Sequence, residues 1–192
     1  MSNDVERGGK MKKKASMLVT IISMLCIFVV AVNAVIGGWV SYNINRYVNL
    51  TMTNDILPKL EELGEYEDVD FKFYRDNMLI FQSDTYILKV SYDDENYEKE
   101  KELIDNNYIY QTETLIDVVD ENTYKKEPSF MLDTFNMKML SQAEYRLDYP
   151  KEIVFIGKSD EKKTISYVYY LNWDLDYIDI PFEEFLKRDC GW

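Results

Sequence analysis

Histidine is absent from all 192 residues. That removes the commonest general base, the Ser-His and Cys-His nucleophile pairs, and imidazole metal sites. Glycine occurs only seven times, with no glycine-rich run to cradle a phosphate. There are two cysteines, Cys26 and Cys190. Cys26 falls inside an apolar run and Cys190 near the last residue, at an end expected to be mobile, so no internal disulfide is expected and stability must come from packing. Cations are scarce beyond the first segment. Residues 41–192 hold 17 Lys and Arg against 33 Asp and Glu, a net charge of −16. Such a surface excludes nucleic acid as a partner and disfavours lying flat on anionic lipid. Basic peptides, cations and neutral ligands remain compatible with it.

Charge is also missing from residues 15–40, and this absence is the most informative one. As a helix the run is roughly 39 Å long at ~1.5 Å per residue, and the hydrocarbon core of a bilayer needs about 30 Å. The run predicts a single transmembrane helix. Arg7, Lys10, Lys12, Lys13 and Lys14 precede it, opposed only by Asp4 and Glu6. Cationic flanks stay inside, so the N-terminus is predicted cytoplasmic and the rest of the chain outside. Lys12, Lys13 and Lys14 would mark the inner interface, and Trp39 and Tyr42 the outer one. A cleaved signal peptide is the competing reading, because Val32-Asn33-Ala34 fits a small-residue cleavage site. The run is longer than a usual signal core and continues through Val40, which favours an uncleaved anchor.

The predicted organisation is a basic cytoplasmic tail (1–14), a transmembrane helix (15–40), a stalk with a short helix (41–67), and an extracytoplasmic α+β domain (68–192). The stalk is expected to continue the membrane helix, with Ile44, Tyr47, Val48 and Met52 at helical spacing. Asn54 or Asp55 is expected to cap a second helix with Pro58 in its first turn.

In the outer domain, Val69, Phe71 and Phe73 alternate with polar residues as a strand does. Asp76-Asn77 and Ser83-Asp84 read as turns bounding two more strands, at 78–82 and 86–90. Residues 97–104 read as a surface helix, with acidic Asp93, Asp94 and Glu95 at its positive end. A strand is expected at 114–119, a polar turn at 120–128 and another strand at 130–140. Ile153–Ile156 and the alternating run from Ile165 to Leu175 form the clearest hairpin, with Gly157–Lys162 as its turn. Val168 and Tyr170 on the opposite side of that run predict that both faces are partly covered. Pro181 starts a closing helix. Together these elements predict a mostly antiparallel sheet with a few helices, placed on one face.

Candidate chemistry is sparse. Asn172, Asp174, Asp176 and Glu183 imitate the ligand spacing of a calcium loop. Tyr177 stands where that loop requires glycine, so an acidic row running off a strand end is the better reading. Asn33, Ala34, Gly37 and Gly38 give a small-residue face on the membrane helix, suited to self-association or to a second membrane protein. Tyrosine and phenylalanine are abundant, which suits core packing first and a ligand face second. No cofactor is implied.

The expected function is a membrane-anchored extracytoplasmic binding or accessory domain, not an enzyme, with the lipid bilayer and a protein or peptide as partners. One form is an immunity-type protein acting by acidic complementarity. The alternative is an acidic-residue hydrolase anchored or secreted at the cell surface. A pocket with two carboxylates about 5–10 Å apart would favour it.

Overall fold

The computed structural model describes residues 19–27, 38–78, 81–119, 122–141, 151–172 and 180–192. Its centre is a seven-stranded antiparallel sheet, with a separate two-stranded hairpin beside it. The sheet strands are β1 (Trp39–Ser41), β2 (Asp68–Met78), β3 (Phe81–Ser91), β6 (Ser129–Leu132), β7 (Phe135–Met139), β8 (Lys151–Ser159) and β9 (Thr164–Asn172). Their spatial order is β1-β2-β3-β9-β8-β7-β6. The small hairpin pairs β4 (Leu115–Val119) with β5 (Asn122–Lys126). After residue 38 the helices are α1 (Asn45–Thr53), α2 (Asp94–Asn107) and α3 (Phe182–Arg188), with a 3-10 turn at Leu60–Glu62. The α+β, mostly antiparallel class read from the sequence is what the chain adopts.

β9 lies at the middle of the sheet, and all nine of its residues are buried. Its alternation sends Ile165, Tyr167, Tyr169 and Leu171 into one core, and Val168 and Tyr170 into the other. The first core also takes Phe71, Phe73, Leu88 and Val90 from the neighbouring strands, and α1 and α2 cover it through Tyr47, Tyr97 and Ile104. The second core holds Ile87, Phe135, Met137, Ile153 and Phe155 under Phe182, Phe185 and Leu186 of α3. Helices therefore lie on both faces, not one. The short α3 suffices because Phe182 packs against Phe155 (ring centroids 4.9 Å) and Phe185 against Tyr170 (5.7 Å).

The transmembrane helix expected over 15–40 is not supported over that length. Among the described residues, no helix is long and apolar enough to cross a membrane. Residues 19–27 are helical; residues 15–18 and 28–37 lie outside the described set. The far end of the expected helix is a strand. Trp39, Val40 and Ser41 pair with Arg75, Tyr74 and Phe73 of β2. A hydropathy run cannot register that Trp39 finds Phe73 at 5.1 Å, with the Arg46 guanidinium 4.4 Å above its ring.

The segment after β1 differs from a continuing stalk helix as well. Asn43 Oδ1 accepts a hydrogen bond from the Asn45 backbone (3.1 Å) and starts α1 as a new helix. Tyr47 is fully buried, and its hydroxyl donates to the Pro58 carbonyl at 2.7 Å. Asn54 does not cap a helix; its Oδ1 accepts from the Ile56 amide in a local turn (2.8 Å), and only the 3-10 turn follows. Leu57 and Leu63 are buried in the first core, so this segment belongs to the folded unit.

Several strand boundaries also move. Asp76-Asn77 and Ser83-Asp84 lie inside one long hairpin that pairs from Asp68↔Ser91 to Met78↔Phe81. Asp84 reads as a turn residue, yet Arg75 holds it from the opposite strand through two bonds of 2.6 and 2.7 Å. The polar stretch 120–128 contains β5. The expected strand at 130–140 is a hairpin that reverses at Asp133, which has the left-handed φ of 52° that Asp tolerates. Gly157 is within β8, and the reversal comes later, with Lys163 at φ 50°. Gly157 is needed where it stands because Met137 Sδ occupies the place a Cβ would take.

Candidate functional site

A cavity of about 270 Å³ lies between α2, the 55–62 segment and the first sheet face. Each wall follows from local sequence. Asp93 Oδ1 caps α2 by accepting from the Asn96 amide (2.8 Å), so the acidic Asp93–Glu95 cluster has a structural role at the helix start. Tyr97 and Lys101 fix the helix to the β8–β9 turn, donating to Asp160 Oδ1 at 3.0 and 2.6 Å. The Lys101 ammonium and the Tyr97 hydroxyl hold the Asp160 carboxyl below its ordinary value. With α2 fixed in this way, Glu100 and Ile104 turn inward on successive turns. The Tyr47–Pro58 bond draws the 55–62 segment over them.

Glu100 is the unusual group in this cavity. It is only 6% exposed, and burial raises its carboxyl above the usual range, partly offset by a hydrogen bond from the Gly64 amide. Among the described residues no Lys or Arg pairs with it. Asp55 and Glu62 line the same cavity and are exposed. The aromatic lining is Tyr108 and Tyr167. The Tyr167 hydroxyl is enclosed and meets no hydrogen-bond partner among the described residues, and the same holds for Tyr92. Burial, with Tyr92 and Glu100 nearby, raises the Tyr167 phenol well above its ordinary value. A second, shallower depression on α3 is lined by Glu183, Glu184, Lys187 and Arg188. Its cations are already paired, Lys187 with Glu183 at 2.8 Å and Arg188 with Asp189 through two bonds of 2.8 Å.

The sequence-derived candidates fare unevenly. Lys12, Lys13, Lys14, Asn33, Ala34, Gly37, Asp174 and Asp176 lie outside the described residues. Asn172 ends β9 opposite Ser83 and Lys151 and is buried, while Glu183 is engaged by Lys187. Among the described residues, no group of three Asp, Glu, Cys or His side chains is placed to hold a metal. Gly38 lies against Tyr74, where an added Cβ would come within 2.5 Å of the ring. Its small size therefore serves packing within the chain. Trp39 is half-buried in the domain, and Tyr42 is 69% exposed.

Cys190 is not on a loose end. It is 1% exposed, and its backbone N–H donates to the Phe185 carbonyl. Burial pushes its thiol up to about 12, so it holds its proton at neutral pH and is a poor nucleophile. Sequence reasoning missed Glu100, because a Glu within Glu-Lys-Glu-Lys-Glu reads as solvated helix surface. The only signal was its place one turn before Ile104 and one turn after Tyr97 and Asn96.

No family model matches the chain, and no curated protein or solved structure is similar to it.

Proposed function

We propose that the chain is a membrane-anchored, extracytoplasmic binding domain without catalytic chemistry of its own. One observation carries this reading. The helix at 19–27 exposes Val19, Ile21, Ile22, Met24, Leu25 and Ile27, each at least half accessible. A helix that is apolar on every side needs lipid or protein around it. The charge-free run to either side of it and the lysines ahead of it support lipid, with the acidic domain outside. On this reading no spacer separates bilayer from domain, because β1 starts at Trp39. Extraction of membranes with alkaline carbonate tests the anchor. The full chain should stay with the membrane pellet, and a variant lacking 15–37 should leave it. Full-length chain in the supernatant, or a mature product beginning near Val35, would refute the anchor.

A second reading, an anchored hydrolase using acidic residues, draws on the cavity. Glu100 is raised by burial, as a general acid requires, and Asp55 and Glu62 share its cavity. Hydrolysis of an aryl glycoside panel that is lost in Glu100→Gln would support this reading; no turnover by the unmodified chain would end it.

A further inference from the structure

Glu100 is an enclosed carboxyl supplied with one hydrogen bond from a neutral amide, and a buried carboxylate without a cation is costly. The chain does not relieve that cost from its own described residues. Lys99 and Lys101 flank Glu100 in sequence, yet Lys99 pairs with Glu95 at 2.6 Å and Lys101 with Asp160 at 2.6 Å. Lys59, next in the chain to Pro58 of the lining, lies 3.9 Å from Glu62. Tyr167 lines the same cavity, and its enclosed hydroxyl has no hydrogen-bond partner among the described residues. Buried polar atoms are paired in the great majority of cases, so an enclosed carboxyl with no cation beside an unpaired hydroxyl points to something that enters the cavity.

The geometry points to a site for a single organic cation: an ammonium or guanidinium group that pairs with Glu100, donates to the Tyr167 hydroxyl oxygen, and rests on the Tyr108 ring. The lining fits that chemistry. A carboxylate beside aromatic rings attracts a cation by charge and by the ring quadrupole. Leu57, Leu103 and Ile104 offer apolar contact to the stem of such a group. The volume is slightly below the ~300 Å³ at which drug-sized pockets begin, which suits one side chain or a small amine. Asp55 and Glu62 are exposed on the lining, and the net charge of −16 over residues 41–192 draws cations to it. This rests on the binding-domain reading and gives its partner a chemistry: it presents a basic group. The source is either a free amine or a Lys or Arg side chain of a protein.

Titration of the full chain in mild detergent, followed by NMR or calorimetry, tests this. The probes are n-butylammonium, n-butanol as its neutral counterpart, and an acetylated tetralysine peptide. Saturable binding of butylammonium, at least ten-fold weaker for butanol and lost in Glu100→Gln, is the expected result. Glu100→Gln keeps the acceptor for the Gly64 amide, and a thermal melt checks its fold. Tyr167→Phe, which removes only the hydroxyl, should weaken the ammonium several-fold without lowering the melting temperature. Tetralysine binding that is tighter than butylammonium and also lost in Glu100→Gln assigns the cation to a protein side chain. Butylammonium alone assigns it to a free amine. Equal binding of butanol, or peptide binding that persists in Glu100→Gln, overturns the proposal. Neither outcome depends on carbonate partition, so this site and the membrane anchor can fail separately.

Discussion

Replacing Tyr47 by alanine distinguishes a folded segment from a stalk more sharply than any other change. The residue is wholly buried, packs edge-on to Phe71 at 6.2 Å, and gives its hydroxyl to Pro58 at 2.7 Å. Removing a buried aromatic ring costs about 3–5 kcal/mol, from lost transfer energy and the cavity left behind. Tyr47→Phe isolates the hydroxyl and should cost about 1–2 kcal/mol, since the buried Pro58 carbonyl loses its donor. Both are measured by urea unfolding of the full chain in mild detergent, followed by tryptophan fluorescence, comparing midpoints at constant slope. An exposed control, Met52→Ala on the outer side of the same helix (72% accessible), should change stability by under about 0.5 kcal/mol. If Tyr47→Ala also fell within ~0.5 kcal/mol, segment 42–63 would be a stalk after all, and the packing over the cavity would be wrong.

Four further outcomes follow from particular contacts. Asp84→Asn should cost about 3 kcal/mol in the same unfolding assay, because Asp84 is enclosed and Arg75 keeps its charge without a counterion. The paired change Arg75→Met with Asp84→Leu should recover most of that loss. Gly157→Ala should destabilise by about 1–3 kcal/mol through overpacking against Met137, and the loss should be non-additive with Met137→Ala. Cys190 should resist alkylation in the native protein and react once denatured. Glu100→Gln should stabilise the domain at neutral pH. The raised Glu100 carboxyl takes up a proton in the folded state at a pH where the unfolded chain has lost it. Its favourable contribution is therefore complete below the ordinary Glu value and falls as pH rises through the folded value. The advantage of the variant should vanish near pH 3, and an advantage that grew on acidification would refute the burial of a charge there.

The parts of the fold that were legible in sequence are those whose pattern is local. β9 alternates cleanly and carries apolar residues on both sides, so cover on both of its faces was readable from Ile165, Tyr167, Val168 and Tyr170, while its central place in the sheet was not. Helix α2 was readable from its formers and its acidic cap. The misreadings share a cause: a partner far along the chain overrules the local signal. Asp84 looked like a turn until Arg75 answered it across the hairpin. Trp39 and Val40 looked like the end of a membrane helix because β2, some thirty residues on, was not visible as their partner. Tyr47 looked like one position in a helical stripe because Pro58 and Phe71 had not yet been brought to it. The cavity was illegible for the same reason. Its walls come from 55–62, α2 and β9, and only their meeting makes Glu100 an enclosed carboxylate.

Sidedness of the domain is the most direct test of the whole account. In a Cys26→Ser background, Glu161→Cys places one thiol on the exposed β8–β9 turn, while Cys190 stays shielded in the second core. A membrane-impermeant maleimide applied to intact spheroplasts should label that thiol fully, with no increase on permeabilisation. Labelling that appears only after the membrane is opened would put the domain inside the cell and contradict the account.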